Sequence, residues 1–330
     1  MRRREINKSA MLAAAAFGAL AACCARGEWE YAGRWGDDPG SGIVFRYPAS
    51  VAVAPNGDIY VTDRDYHRVF YFDAYGLPRG EWGGFGIAAG RFRWPLGIDV
   101  SADGKRVYVA DVMNHRVQTF TATGSLLGCI GPGATAFPTF RYPTGVSSGP
   151  GGDVYVADCG NNRVVRFDAE GAFLGAWGRE GRGKGEFRDP VDVAVSSSGD
   201  VYVVESGNHR VQRFGAAGFF LGKWGSYGPG EGRFKAPAGV IVGLDPLRVF
   251  VADAGNNRVQ YFTARGSYLG EWGGYGGAEG EFHLPSDVAL SRDGFRAYVA
   301  DTGNGRIQYF RWRKPPVEAT TLGRVKALFR

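Results

Sequence analysis

Histidine and cysteine are scarce, with four of each in 330 residues. Past the first two dozen residues no Cys-x-x-Cys pair occurs, which excludes a cysteine-ligated zinc site of the usual spacing. There is no His-Glu-x-x-His pattern and no legible Ser/His/Asp set, so nothing points to a helical zinc protease or a triad hydrolase. No apolar run reaches the roughly 20 residues that a spanning helix needs. Net basic charge is also missing from the body. Arg2, Arg3, Arg4 and Lys8 face only Glu5 near the start, and six cations face only Glu318 in the last twenty residues. The total of +6 therefore leaves residues 23–310 at −2. Phosphate-backbone binding needs clustered Lys and Arg, so nucleic acid is not an expected partner.

Glycine, by contrast, is abundant at 53 residues, without a Gly-X-Y period, alongside 44% apolar and 14% aromatic residues. A turn-dense, aromatic-rich chain that can bury a large core reads as all-β. "MRRREINKSAMLAAAAFGALAACC" reads differently: a charged start, an apolar run from Ala10 to Ala22, then cysteine. That is a secretory signal over residues 1–22. "LAAC", Leu20 to Cys23, resembles the bacterial lipobox, and Arg3-Arg4 more weakly resembles a twin-arginine export motif. The lipobox implies lipidation of Cys23 and a membrane-anchored lipoprotein on the periplasmic or cell-surface side.

The rest repeats itself. Pro48, Pro95, Pro143, Pro190, Pro237 and Pro285 recur at spacings of 47 or 48 residues. Each unit carries a short apolar run, a turn, an alternating strand such as "VYVAD", and a four-residue turn. A strand opening on arginine follows, then a strand such as "LGEWG" and a Gly-rich connector ending in Phe. Four short strands per period of this length predict a six-bladed β-propeller of four-stranded antiparallel blades. The sixth unit stops after its third strand, and "WEYAGRWGDDPGSGIVF", Trp29 to Phe45, matches the tail of unit five. The N-terminal strand is thus expected to complete the last blade, which leaves no open edge. The propeller is placed at residues 28–312 and a basic, loosely ordered tail at 313–330.

An acid ends strand two and an arginine begins strand three in every unit: Asp63/Arg68, Asp111/Arg116, Asp158/Arg163, Glu205/Arg210, Asp253/Arg258 and Asp301/Arg306. Recurrence in every unit marks these pairs as fold requirements joined by charge-assisted hydrogen bonds. The units, and "NHRVQ" at Asn114–Gln118 and Asn208–Gln212 most closely, resemble NHL repeats. That resemblance implies a six-bladed propeller but no single function, because such domains bind proteins, RNA or small ligands and one branch are zinc-dependent peptide-amidating lyases. The resemblance to the lyases implies histidines directly after blade prolines, where this chain has Ala49, Leu96, Thr144, Val191, Ala238 and Ser286. His67, His115 and His209 occupy one turn in different blades, on the order of 15 Å apart, too far to share a zinc ion. "GREGRGKGEF", Gly178 to Phe187, lacks the Ser or Thr that follows lysine in a phosphate loop, and reads as an inter-blade link. Cys129 and Cys159 are expected to be unpaired.

Two candidate sites remain. Asp192 and Asp287 share a blade position beside the channel, with Asp99 nearby in sequence register. They can hold a hydrated divalent cation, although facing channel water is the simpler expectation. The stronger candidate is a ring two residues before each proline: Arg46, Arg93, Arg141, Arg188, Lys235 and His283. Tyr47, Trp94 and Tyr142 follow the first three. Arginine beside aromatic surface suits an anionic or ring-bearing ligand, or an acidic loop of an envelope protein. The expectation is a monomeric, non-catalytic binding or scaffold propeller without a cofactor. The alternative is a propeller lyase or hydrolase using a divalent cation.

Overall fold

A computed structural model describes residues 28–37, 43–131, 139–243 and 248–313. Cys23, the expected signal over residues 1–22 and residues 314–330 of the expected tail lie outside these residues, while Arg313 ends a strand. The described chain is an all-β, six-bladed propeller of four-stranded antiparallel sheets. Among the described residues no helix is long and apolar enough to cross a membrane. Blade one runs Pro48–Val53, Ile59–Asp63, Arg68–Phe72 and Pro78–Gly83, and blades two to five repeat this order. Blade six takes its inner three strands, Asp287–Leu290, Arg296–Asp301 and Arg306–Arg313, from the end of the chain. Its outer strand is Glu28–Trp35, from the beginning. Trp35 packs against Tyr309 at 5.8 Å between ring centroids, and Tyr31 against Phe310 at 6.2 Å. The outermost ends of the two strands meet as well, with Trp29 against Trp312 at 5.2 Å.

Aromatic residues fasten each blade to the next. The outer-strand tryptophan of one blade meets the third-strand phenylalanine of its successor: Trp35–Phe72, Trp82–Phe120, Trp177–Phe214, Trp224–Phe262 and Trp272–Phe310, all at 5.7–5.8 Å. Blade two has Ile130 in that place, packed in a cluster with Phe140 and Phe167. The connector phenylalanine also packs on the same third-strand ring, as Phe92 does on Phe120 at 5.6 Å. Offset and edge contacts of this kind stabilise beyond the area they bury.

The acid ending strand two is a buried hub. Asp111 accepts the Arg93 backbone N–H at 2.7 Å, the Asn114 amide, the Arg116 Nε–H at 2.7 Å and the Gln118 amide at 3.1 Å. Arg116 and Gln118 then donate to carbonyls of the connector arriving from blade one, at Ala88 and Arg91. The recurring acid, Asn, Arg and Gln therefore tie hairpin, ring residue and connector into one network. The expected ion pair forms in five blades, at 2.7, 2.7, 2.5, 2.9 and 2.6 Å in blades two to six. Blade one departs from the expectation. Asp63 and Arg68 face each other in register, but Arg68 pairs instead with Glu81. Its turn holds Tyr66 where the others hold Asn, and Asp63 Oδ1 accepts the N–H groups of Asp65 and Tyr66.

Candidate functional site

The face bearing the strand two–three turns opens into an axial cavity of about 610 Å³. Its wall carries Tyr47, Trp94 and Tyr142 on the side of blades one to three, and its floor carries Ser50, Asp192 and Asp287. The aromatic positions are held in an unusual backbone state. Trp94 and Tyr142 have φ of 58° and 53°, left-handed values that bulky residues rarely adopt. What holds them is the preceding blade. The Trp94 N–H donates to His67 Nδ1 at 3.2 Å and the Tyr142 N–H to His115 Nδ1 at 3.1 Å. At the equivalent interfaces Asn162 and Asn257 Oδ1 take the same role for Asp189 and Leu284. The turn histidines thus replace asparagine as neutral acceptors. Burial lowers the pKa of His67, which favours the neutral form that this bond requires. Where the preceding turn ends in Gly305, no side chain is offered, and the Tyr47 N–H turns to Asp63.

Among the described residues the one cation in the cavity wall is Arg64, at a position that no motif of the sequence singles out. The residue after each hub acid is Arg64, Val112, Cys159, Ser206, Ala254 or Thr302. Only in blade one is it charged. The Arg64 guanidinium lies over the Tyr47 ring at 3.4 Å and 5.4 Å from the Trp94 centroid. Asp65 anchors its Nε at 2.8 Å. Aligning the six turns would have revealed this exception. The ring arginines sit elsewhere. Their backbone N–H groups bind the hub acids, as for Arg46 to Asp63 and Arg141 to Asp158, both at 2.7 Å. The Arg46 side chain leans on Asp65 at 3.8 Å, and the Arg93 guanidinium lies 5.9 Å from the Phe85 ring. Arg46, Arg93, Arg141 and Arg188 do not line the axial cavity; Arg188 lines a separate cleft.

The carboxylates of the inner strands differ from the expectation that they simply face water. Each caps a backbone N–H of the following blade. Asp99 Oδ2 accepts Ser148 N at 2.6 Å, Asp192 Oδ2 accepts Val240 N at 2.9 Å, and Asp287 Oδ2 accepts Val51 N at 3.0 Å. Asp287 also takes the Ser50 hydroxyl at 2.5 Å. Small residues make room for them: a Cβ on Gly145 would lie 2.5 Å from Asp192 Oδ1, and one on Gly239 2.5 Å from Asp287 Oδ1. Desolvation raises all three acids, Asp99 and Asp287 to about 6 and Asp192 well above its ordinary value, where the Asp287 charge adds to burial. Among the described residues no group of three or more His, Cys, Asp or Glu could hold a metal ion. Cys129 and Cys159 are both free thiols. Burial pushes the Cys159 thiol up to about 11, which leaves little reactive thiolate near neutrality.

Residues 45–72, 92–120, 140–167 and 187–214 match the pattern of the NHL repeat family. The chain carries four NHL repeats. They span the connector phenylalanine through the third strand of blades one to four, and blades five and six have the same strand order and hub. No curated protein sequence matches the chain. Solved structures match by fold. A gluconolactonase from Xanthomonas campestris superposes with a TM-score of 0.62 at 14% identity, over 81% of this chain and 86% of that one. Virginiamycin B lyase from Staphylococcus aureus does so with 0.55 at 15%, over 83% and 86%. Kuenenia stuttgartiensis hydrazine synthase gives 0.57 at 14%, over 81% and 96%. At such identities the likeness shows the propeller alone.

Proposed function

We propose that this NHL-repeat propeller is a non-catalytic binding protein whose axial cavity takes a ligand with an apolar ring and an anionic group. The observation that carries this reading is Arg64. Among the described residues it is the only cation lining an otherwise largely apolar cavity, and two aromatic rings of that wall flank it. Aromatic walls provide stacking surface, and a guanidinium in a sheltered pocket binds carboxylate or sulfonate through paired N–H donors. Asp65 on its Nε fixes the side chain while leaving both terminal nitrogens available to a ligand. The ring arginines Arg46, Arg93 and Arg141 stand around the same face and add long-range attraction for an anion.

The binding test uses 8-anilinonaphthalene-1-sulfonate, followed by fluorescence titration. Arg64→Gln is expected to weaken it by about 10- to 100-fold, the range for one charge-assisted hydrogen-bond set. Unchanged affinity in that variant removes the site assignment. In the same proposal the protein is exported and anchored to a membrane surface through lipid on Cys23, with an envelope protein or an envelope-derived anion as its partner. Support comes from the "LAAC" motif behind a charged and apolar leader. Cys23→Ser should move the protein from the membrane pellet to the soluble fraction, and continued sedimentation with membranes would count against the anchor.

One observation favours a second reading, a propeller lyase or hydrolase. Asp192 and Asp287 place two carboxyl groups of raised pKa on the cavity floor, where they suit proton transfer near neutrality or a divalent cation. Metal analysis separates the two. A stoichiometric cation that is lost in Asp192→Asn/Asp287→Asn supports the enzyme, and its absence from protein prepared without chelator supports the binding module.

A further inference from the structure

A second cleft on the cavity-bearing face has a charge pattern that the repeat does not explain. It lies on blade four, between the connector arriving from blade three and the one leaving for blade five, has a volume of about 720 Å³, and is lined by Arg182, Arg188, Asp189, His209, Lys223 and Tyr227 among others. Arg210 also reaches it, but its charge is matched by Glu205 at 2.5 Å. Arg182, Arg188 and Lys223 form no ion pair with any described residue; the arginines that do in this part of the chain are Arg179, Arg210 and Arg213. The neighbouring cleft, lined by Arg163 and Arg179, has both of its arginines paired, with Asp158 and Glu186.

Lys223 is the revealing residue. In blades one and five the same outer-strand position is Glu81 and Glu271, which face the third strand in the same register. Each receives an N–H from the third-strand arginine, Arg68 or Arg258. Blade four reverses the charge at that position, with Lys223 opposite Gln212. Arg210 therefore turns its Nη1 to the Arg182 carbonyl at 2.6 Å. The position is Cys129, Ala176 and Arg34 in blades two, three and six, and Arg34 is paired with Asp37 at 3.2 Å, so among the described residues Lys223 is the one cation at this position without an ion pair. A lysine beside an arginine adds like-charge repulsion, which a bound anion would relieve. Tyr227 completes the cleft. It is 64% exposed, and His209 holds its ring at 5.1 Å between centroids, so a fixed aromatic face is open to a ligand.

We propose that this cleft binds a sugar ring carrying an anionic substituent, a carboxylate or a sulfate. The three unpaired cations hold the anion, Tyr227 stacks on the C–H face of the ring, and Asp189 accepts hydrogen bonds from ring hydroxyls. The mixed lining distinguishes this class from a phosphate polyanion, which has no donors for Asp189. The cleft is independent of Arg64 and of the axial cavity.

Calorimetric titration of the full chain tests the assignment with four probes: a galacturonate trisaccharide, galactose 6-sulfate, neutral cellotriose and inorganic sulfate. At least one acidic sugar should bind, its identity deciding between carboxylate and sulfate, while cellotriose should not. Lys223→Glu restores the blade one and five pattern and should fold normally, checked by its melting curve. It should weaken the acidic sugar at least tenfold. Tyr227→Ser should weaken the sugar several-fold and leave sulfate alone unaffected, and Arg64→Gln should change neither. The proposal is overturned if no acidic sugar binds, if Lys223→Glu binds as well as the wild type, or if sulfate alone binds as tightly as the sugars. It is equally overturned if Arg64→Gln, and not Lys223→Glu, abolishes binding.

Discussion

At the scale of single residues, the chain separates what every blade needs from what one blade alone has. The Asp301–Arg306 pair belongs to the first kind. Asp301 is fully buried and Arg306 is 2% exposed; the guanidinium donates to Asp301 at 2.6 Å and to the carbonyls of Gly277, Ala278 and Glu281. Asp301→Ala strands a buried cation and should cost about 3–5 kcal/mol in denaturant unfolding; a loss below about 1 kcal/mol would mean the hub contributes little. His67 is a gentler case. His67→Asn keeps an acceptor for the Trp94 N–H and should be nearly neutral, while His67→Ala loses about 1 kcal/mol. Because burial lowers the His67 pKa, its contribution is present above the unfolded value near 6.5 and fades as pH falls below it, a dependence that the Asn variant should lack. The hub was legible in the sequence because it recurs. Arg64 was not, because it sits in a turn position occupied otherwise by Val112, Cys159, Ser206, Ala254 and Thr302, and only an aligned comparison of the turns exposes it.

At the scale of elements, the closing strand Glu28–Trp35 completes a blade otherwise built from the other end of the described chain. It covers the edge of Arg306–Arg313, and Trp35 reaches Phe72 of blade one at 5.7 Å. Deleting residues 28–36 should expose an unpaired strand edge, lower the melting temperature and produce larger species in size-exclusion chromatography; a monodisperse variant that melts like the full chain would contradict the closure. The closure could be read from the missing fourth strand of unit six and its counterpart at Trp29–Phe45. The partners of the inner-strand acids could not. Sequence places Asp99, Asp192 and Asp287 near the axis, but which N–H each one caps depends on how neighbouring blades slide past each other. The ring residues show the same limit: Arg46, Arg93 and Arg141 adjoin the aromatics in sequence, yet a left-handed turn at Trp94 and Tyr142 decides which side chains face the cavity.

At the scale of the whole molecule, three of the six interfaces between blades are joined by a carboxylate, from Asp99, Asp192 and Asp287. Their raised pKa values fix the sign of a pH effect. An acid whose folded pKa lies above its unfolded value near 3.9 stabilises fully below that value, and the contribution is lost as pH rises through the folded value, about 6 for Asp99 and Asp287. Wild type should therefore lose stability relative to Asp99→Asn/Asp192→Asn/Asp287→Asn between about pH 4 and pH 6. Urea unfolding at several pH values across that window reads the difference, and parallel curves would show that the acids are not buried as described.

The binding reading rests most heavily on Arg64 and the aromatic wall around it. A crystal structure of the protein soaked with 8-anilinonaphthalene-1-sulfonate tests this directly. The sulfonate should lie at hydrogen-bond distance, about 3 Å, from the Arg64 guanidinium, with the rings against Tyr47, Trp94 or Tyr142. An empty axial cavity at saturating ligand, or a ligand seated there without touching Arg64, would contradict the account.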